Sequence, residues 1–587
     1  MKFLSNVLAT LVGIFAFFIL LFFSFLVIGA VFGSSDEGVV SVKENSVLEI
    51  DLSDFSTDYV GKYSDPLVTL FAGKNRVGVS EALEAIAAAA DDDKIAGISL
   101  LNTKSALGMA QTKALRDALV EFRKSGKFVY AYSTNYDQKD YYLSSAAQGV
   151  YLNPVGSVDL RGLSTEVLFF KDFQEKSGFN FEVIRHGKYK SAVEPFLDNK
   201  MSEANREQLT EMLQSIWGTM ATEITQSRKI TNTDLNRIAD SLGGTFATDA
   251  LRNKLVDQLI YEDQYTDMLK KKLDVQKDEE INKVSLADYA FSVTNTPKSV
   301  NSDDVIAVIY AQGDILPGEG DVNQIGDGAV RRALREARED ENVKAVVLRV
   351  DSPGGDATTS ELIWREIALT KKVKPVVVSM GNYAASGGYY IACGANKIIA
   401  EPNTITGSIG VFGLLPNMSN LADKAGIDAE QVSTHAQSAS YSVFTPMNAQ
   451  MRSYYQKQIE FVYDTFITRV ADGRKMSKTA VDAIGQGRVW SGVQAKENGL
   501  VDALGGMPLA LKEAAKLAKI SEYKVRNYPE FDKTIEDMFG AFGVAKAKED
   551  LLRSELGEQE YQVYQNYRKL TKQKGIQLRL PYEVKFN

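Results

Sequence analysis

Aliphatic and β-branched runs short enough to be buried strands recur along the chain, each followed by a stretch with helical spacing. Asn45 to Phe55, Ile95 to Leu101 and Phe128 to Tyr132 read as strands, with Val79 to Ala90 and Lys113 to Arg123 as helices. A second series starts near Val305-Ile306-Ala307-Val308-Ile309-Tyr310. In it Val346 to Val350 and Lys374 to Met380 read as strands and Thr358 to Leu369 as a helix. Met201 to Ile224 and Met451 to Val470 form a matching pair of long helices, whose apolar stripes are read as core contacts.

The two series echo one another. Tyr141-Tyr142 and Tyr389-Tyr390, Pro154 and Pro402, and Phe196 and Phe444 are each 248 residues apart. Ala250 to Asp257 resembles Ala495 to Asp502 at an offset of 245. A tandem duplication explains these echoes. The polar stretch 275–304, with Asn295-Thr296-Pro297 and Asn301-Ser302-Asp303-Asp304, suits a connection between copies. The tail from 531 to 587 is rich in charge and tyrosine and carries no chemical signal.

No residue from Phe3 to Gly33 is charged, and Val7 to Phe32 is 26 residues of nearly continuous apolar character. That length can cross a hydrocarbon core of about 30 Å. It also exceeds the apolar region of a cleavable signal, so residues 1–33 are expected to be an uncleaved anchor. Lys2 on one flank and Asp36-Glu37 on the other put the remainder outside the cytoplasm.

Composition narrows the chemistry. A net charge of −9 argues against a nucleic-acid partner. A single cysteine, Cys393, excludes an intramolecular disulfide, and with only two histidines a zinc site is not expected. Cys393 lies in an apolar stretch and reads as a small buried hydrophobe.

The candidate nucleophile is Ser386, between small residues in Ala384-Ala385-Ser386-Gly387-Gly388, where a strand gives way to a helix. Free N–H groups at such a turn suit an oxyanion. Asp351-Ser352-Pro353-Gly354-Gly355 is a second strand-to-helix turn, and neighbouring parallel strands would bring both turns to one sheet edge. The N–H of Gly354 or Gly355, with that of Gly387, could then hold a tetrahedral intermediate, each donor being worth ~3 kcal/mol of barrier. A serine needs a base, and the only histidines are His186 and His435. His186 shares its segment with Lys188 and Lys190, and burial can bring a lysine from about 10.4 towards neutrality.

Arg185 to Phe196, Asp351 to Gly355, Ala384 to Tyr389 and Thr406-Gly407-Ser408-Ile409-Gly410-Val411 together resemble the long bacterial form of the signal peptide peptidase A (protease IV) family. The resemblance implies an α/β fold of tandem duplicated ClpP/crotonase-like domains behind an N-terminal transmembrane helix. Residues 45–274 would supply the base and residues 305–530 the nucleophile. It further implies Ser386 as nucleophile, Lys190 as general base, Ser408 as the residue orienting the lysine, and Gly354, Gly355 and Gly387 at the oxyanion hole. No metal or cofactor is implied. The implied partners are signal peptides and other extended peptides, the bacterial inner membrane, and further copies of the chain in a tetramer-like bowl. At the repeat offset Lys190 faces Ser438 and Ser386 faces Gln138, so each copy keeps half of the dyad. A crotonase-like hydratase or isomerase, a membrane scaffold with a vestigial dyad and a Ser/His hydrolase using His186 are the competing readings.

Overall fold

Two sheets that share one order of six parallel strands carry the molecule. The computed structural model describes residues 10–24, 42–55, 57–63, 77–103, 105–295, 302–435, 437–438, 441–531, 553, 557, 561 and 576–579. In the first unit the order is Gln258–Leu259, Gly149–Leu152, Phe128–Ser133, Ile95–Leu101, Ser46–Asp51 and Lys283–Ser285, all parallel. In the second, Ala503–Leu504, Lys397–Ala400, Val376–Ala385, Val343–Ser352, Val305–Gln312 and Lys524–Tyr528 run in the corresponding order, again parallel. Parallel strands buried on both faces favour near-continuous apolar runs, which Ile95–Leu101 and the stretch Ala345-Val346-Val347-Leu348 of Val343–Ser352 supply.

Equivalent hydrogen bonds repeat with the strands. Tyr141 donates its hydroxyl to the Leu255 carbonyl and Tyr389 donates to that of Leu500, both at 2.8 Å. Arg228 grips Asp257 as Arg474 grips Asp502. The long helices Glu203–Arg228 and Ala449–Arg474 are both 26 residues long and end on a left-handed lysine.

Stretch 275–304, read as a polar connection, contributes to the first unit. Lys283–Ser285 adds an edge strand beside Ser46–Asp51, and Leu286–Asn295 forms a helix. The apolar amino-terminal segment is helical over 10–24, with Phe15 and Leu20 well exposed. The rest of the expected anchor lies outside the described residues, among which no helix is long and apolar enough to cross a membrane.

A third, mixed sheet joins the two units. It runs Gly320–Asp321, Gln324–Gly326, Asp314–Leu316, Gly354–Asp356, Ile576–Arg579, Val411–Asn417 and Asn180–His186. Its last strand comes from the first copy and pairs antiparallel with Val411–Asn417 of the second, from Val411↔His186 to Asn417↔Asn180. Below it Val193, Phe412 and Leu414 form a small core, with Phe181 and Phe196 packed against them. The tail, silent in the sequence, supplies the interior strand Ile576–Arg579.

Candidate active site

Strands Val343–Ser352 and Val376–Ala385 are neighbours, paired in parallel from Val346↔Val376 to Ser352↔Ala384. Their carboxyl ends therefore deliver the two glycine turns to the same edge. Ser386 follows the second strand and caps the short helix Gly387–Ala392, with φ 55° and ψ −113°. That conformation is costly for a residue with a Cβ and is held by neighbours: the Ser386 N–H donates to the Gly407 carbonyl at 2.8 Å, and the Tyr390 N–H donates to the Ser386 carbonyl. The turns approach closely. A Cβ placed on Gly387 would lie 3.1 Å from the Gly355 nitrogen, and one on Gly354 would lie 2.7 Å from the Gly387 nitrogen. The Gly354 N–H donates to Ser352 Oγ at 3.1 Å, and Ser352 in turn donates to the Gly313 carbonyl.

Lys190 reaches this edge from the other copy. The strand Asn180–His186 enters the mixed sheet, the chain turns at Gly187, and Lys190 precedes the 3-10 helix Ser191–Phe196. The second copy clamps this turn: the Tyr189 N–H donates to the Gln486 carbonyl at 2.9 Å. Gly487, at φ +82°, lies so near that a Cβ there would be 2.6 Å from the N, Cα and Cβ of Lys190. From the long helix of the first copy, Gln208 donates to Tyr189 O and Ser191 Oγ and accepts from the Val489 N–H.

Lys190 is fully buried. Its Nζ lies 2.9 Å from Ser386 Oγ, 3.0 Å from Ser408 Oγ and 3.2 Å from the Ser408 carbonyl. Among the described residues no carboxylate pairs with it, so burial holds its pKa well below the ordinary lysine value. Ser408, also buried and at φ 50°, is fixed by an N–H bond to the Arg488 carbonyl.

The histidines stand elsewhere. His186 Nδ1 lies 2.7 Å from Glu460 Oε2 and its ring stacks on Tyr463. His435 is exposed and meets Thr434. Cys393 is buried and its thiol is pushed up to about 12, chiefly by that burial. In the first copy Gln138 is the repeat counterpart of Ser386, and its side-chain oxygen accepts from the Arg161 and Gly162 N–H groups. Ser438, the counterpart of Lys190, lies on an exposed loop.

Sequence reasoning passed over a buried polar junction under the Ser386 edge. Asp58 of the first copy bonds Arg349 of the second at 2.7 Å, both almost fully buried. Gln111 donates to Asp58 and Asp351, and Asn382 donates to Asp351. Burial, reinforced by the Asp58 charge, raises Asp351 to about 7. Asp58 and Gln111 belong to no motif and lie far in sequence from Arg349, Asp351 and Asn382, of which Asp351 opens the Asp351-Ser352-Pro353-Gly354-Gly355 turn. Gly485-Gln486-Gly487, by contrast, carried a turn signal without any chemistry attached to it.

Comparison with known proteins gives the class of this duplicated α/β chain, with its Ser386 on a strained strand-to-helix turn, as a serine peptidase. The chain belongs to peptidase family S49, whose model matches residues 121–276 and again 368–521. Within it the chain is of the signal peptide peptidase A type. Protease 4 of Salmonella typhi is 40% identical over 466 residues, covering 78% of this chain and 74% of the relative. The chloroplastic serine protease SPPA of Arabidopsis thaliana is 32% identical over 485 residues, covering 82% and 70%. Among solved structures, a ClpP1 point mutant from Listeria monocytogenes overlies 35% of this chain and 94% of its own, at a TM-score of 0.25 and 15% identity.

Proposed function

We propose that the chain is a membrane-anchored endopeptidase that cuts extended apolar peptides, cleaved signal peptides among them, through a Ser386/Lys190 dyad and an acyl-enzyme. The observation that carries this reading is a buried lysine amine 2.9 Å from Ser386 Oγ, whose hydrogen-bond partners among the described residues are hydroxyls and a carbonyl. A lysine kept neutral in this way can take the serine proton as Oγ attacks the peptide carbonyl. Ser408 orients the amine. The protonated lysine then gives its proton to the leaving amine, and a water activated by the same lysine releases the acyl group.

The oxyanion falls to the N–H groups of Gly387 and Gly355. Gly355 is preferred to Gly354 because the Gly354 N–H is engaged by Ser352 Oγ. His186 is not the base in this reading, since its contacts are Glu460 and Tyr463. The parallel sheets are read as ClpP/crotonase-like, residues 1–33 as a single anchor that leaves the body outside the cytoplasm, and the assembly as a bowl of several copies. No metal or cofactor enters the mechanism.

Hydrolysis of a fluorogenic peptide ester by wild type, Lys190→Ala, Ser386→Ala and His186→Ala tests the dyad. Activity is expected to vanish in the first two variants and to persist in the third; survival in Lys190→Ala would sink it. Extraction of the full chain from membranes by detergent, but not by salt or carbonate, tests the anchor.

A further inference from the structure

Arg488 joins parts of the site that have to meet. It follows the Gly485-Gln486-Gly487 turn, and its N–H donates to the Gly485 carbonyl at 2.9 Å. The strand Val489–Ser491 pairs antiparallel with Ile405–Gly407, placing Val489 opposite Gly407. The Arg488 carbonyl thereby reaches the Ser408 N–H, at 2.7 Å. Its side chain turns to the first copy. The guanidinium lies over two rings, 4.8 Å from the centroid of Tyr189 and 4.4 Å from that of Trp490. One terminal nitrogen donates to the Tyr189 hydroxyl at 3.1 Å and to Glu207 at 3.0 Å, and the other to Glu211 at 2.6 Å. Tyr189 immediately precedes Lys190, and both glutamates belong to the long helix Glu203–Arg228. Trp490 is itself fixed, its indole N–H donating to the Ile484 carbonyl at 3.0 Å. The Arg488 side chain is 13% exposed, whereas the two glutamates are 48% and 46% exposed. Water screens the ion pairs, so the shielded ring contacts carry more of the hold than the charge does.

We propose that Arg488 is a positioning residue for the base: its guanidinium pins Tyr189 and its carbonyl pins Ser408, which together hold the Lys190 amine against Ser386 and closed off from water. This rests on the Ser386/Lys190 reading. Arg488 acts through Tyr189 and Ser408 and takes no proton itself. A lysine in its place keeps the charge for Glu207 and Glu211 but offers no flat group to lie over two rings.

Access to the amine tests the clasp without any need for catalysis. Full chains carrying Ser386→Ala, alone or with Arg488→Ala, Arg488→Lys or Arg474→Ala, are labelled with acetic anhydride at mildly alkaline pH and digested. Mass spectrometry gives the acetylation of Lys190 relative to the exposed Lys200. Labelling of Lys190 is expected to rise severalfold in both Arg488 variants, and Arg488→Lys supplies the folded protein where Arg488→Ala does not fold. Arg474→Ala breaks the pair with Asp502 elsewhere in the second copy, controls for lost stability, and should leave Lys190 shielded. Equal labelling in all four proteins, or the same rise in Arg474→Ala, would overturn the proposal.

With Ser386 restored, the Arg488 variants should lose kcat on the peptide ester on the order of 10²-fold, the cost of misplacing a reacting group by about 1 Å, with KM kept. The acid limb of their kcat/KM profile should move up by about one pH unit or more as water reaches the amine. A wild-type kcat and acid limb in both variants would overturn the proposal, and full recovery in Arg488→Lys alone would overturn the part given to the flat guanidinium. Raised labelling of Lys190 together with activity surviving Lys190→Ala would fault the dyad and leave the clasp standing. Activity lost in Lys190→Ala with labelling unchanged would do the reverse.

Discussion

Lys190 shows how one residue sets function against stability. Its burial lowers the folded-state pKa, so between that lowered value and about 10.4 the unfolded chain binds the extra proton. The group therefore costs stability across that window, and the cost fades as pH rises through the unfolded value. Lys190→Met should lower kcat/KM by roughly 10²- to 10⁴-fold and raise the melting temperature, read by ester hydrolysis and calorimetry. For the same reason, kcat/KM of the wild type should fall on the acid side as the lysine takes a proton, with an apparent pKa far below that of a free lysine. Ser386 was legible in the sequence from its small neighbours, and Lys190 only through family resemblance. What the sequence alone leaves open is which of two lysines and two histidines is buried against the serine, because burial depends on residues more than 190 positions away.

The elements that carry the site were legible as types and less so as partners. Val343–Ser352 and Val376–Ala385 follow from their apolar runs, and their adjacency brings the two turns together. Asn180–His186 carries no comparable run, and its burial is mostly intermediate because it is an edge strand of the mixed sheet. Nothing local says that it pairs with the other copy. The same holds for Ile576–Arg579, four residues whose strand character is conferred by the strands on either side. The Gln486-Gly487 turn also packs closely against Lys190. Gly487→Ala has to fit a Cβ at a positive φ within 2.6 Å of the Lys190 backbone. Moving the base by even about 1 Å should cost on the order of 10²-fold in kcat, with circular dichroism unchanged. Retention of full activity would show that the turn does not position the lysine.

At the scale of the molecule, two copies of one fold have become complementary halves. The repeat was legible from the echoes at 248 residues, since equivalent tyrosines keep equivalent carbonyl partners. The joint was not, because Asp58, Gln111 and Arg349 are ordinary polar residues until the halves meet. Asp58→Ala leaves Arg349 buried with its ion pair broken, and should cost about 3–5 kcal/mol in chemical denaturation. Lys190 and Ser386 meet within one chain, so mixing full-length Lys190→Ala and Ser386→Ala proteins should restore no activity. Recovery towards wild-type rates would mean that dyads form between subunits.

The separation of 196 residues between the proposed base and the proposed nucleophile also orders events during synthesis. Lys190 leaves the ribosome long before Ser386 exists, and the serine stays an ordinary alcohol until the second sheet has closed on the first. On the proposed mechanism a nascent or misfolded chain thus carries no working site, and completion of the fold is itself the activating event.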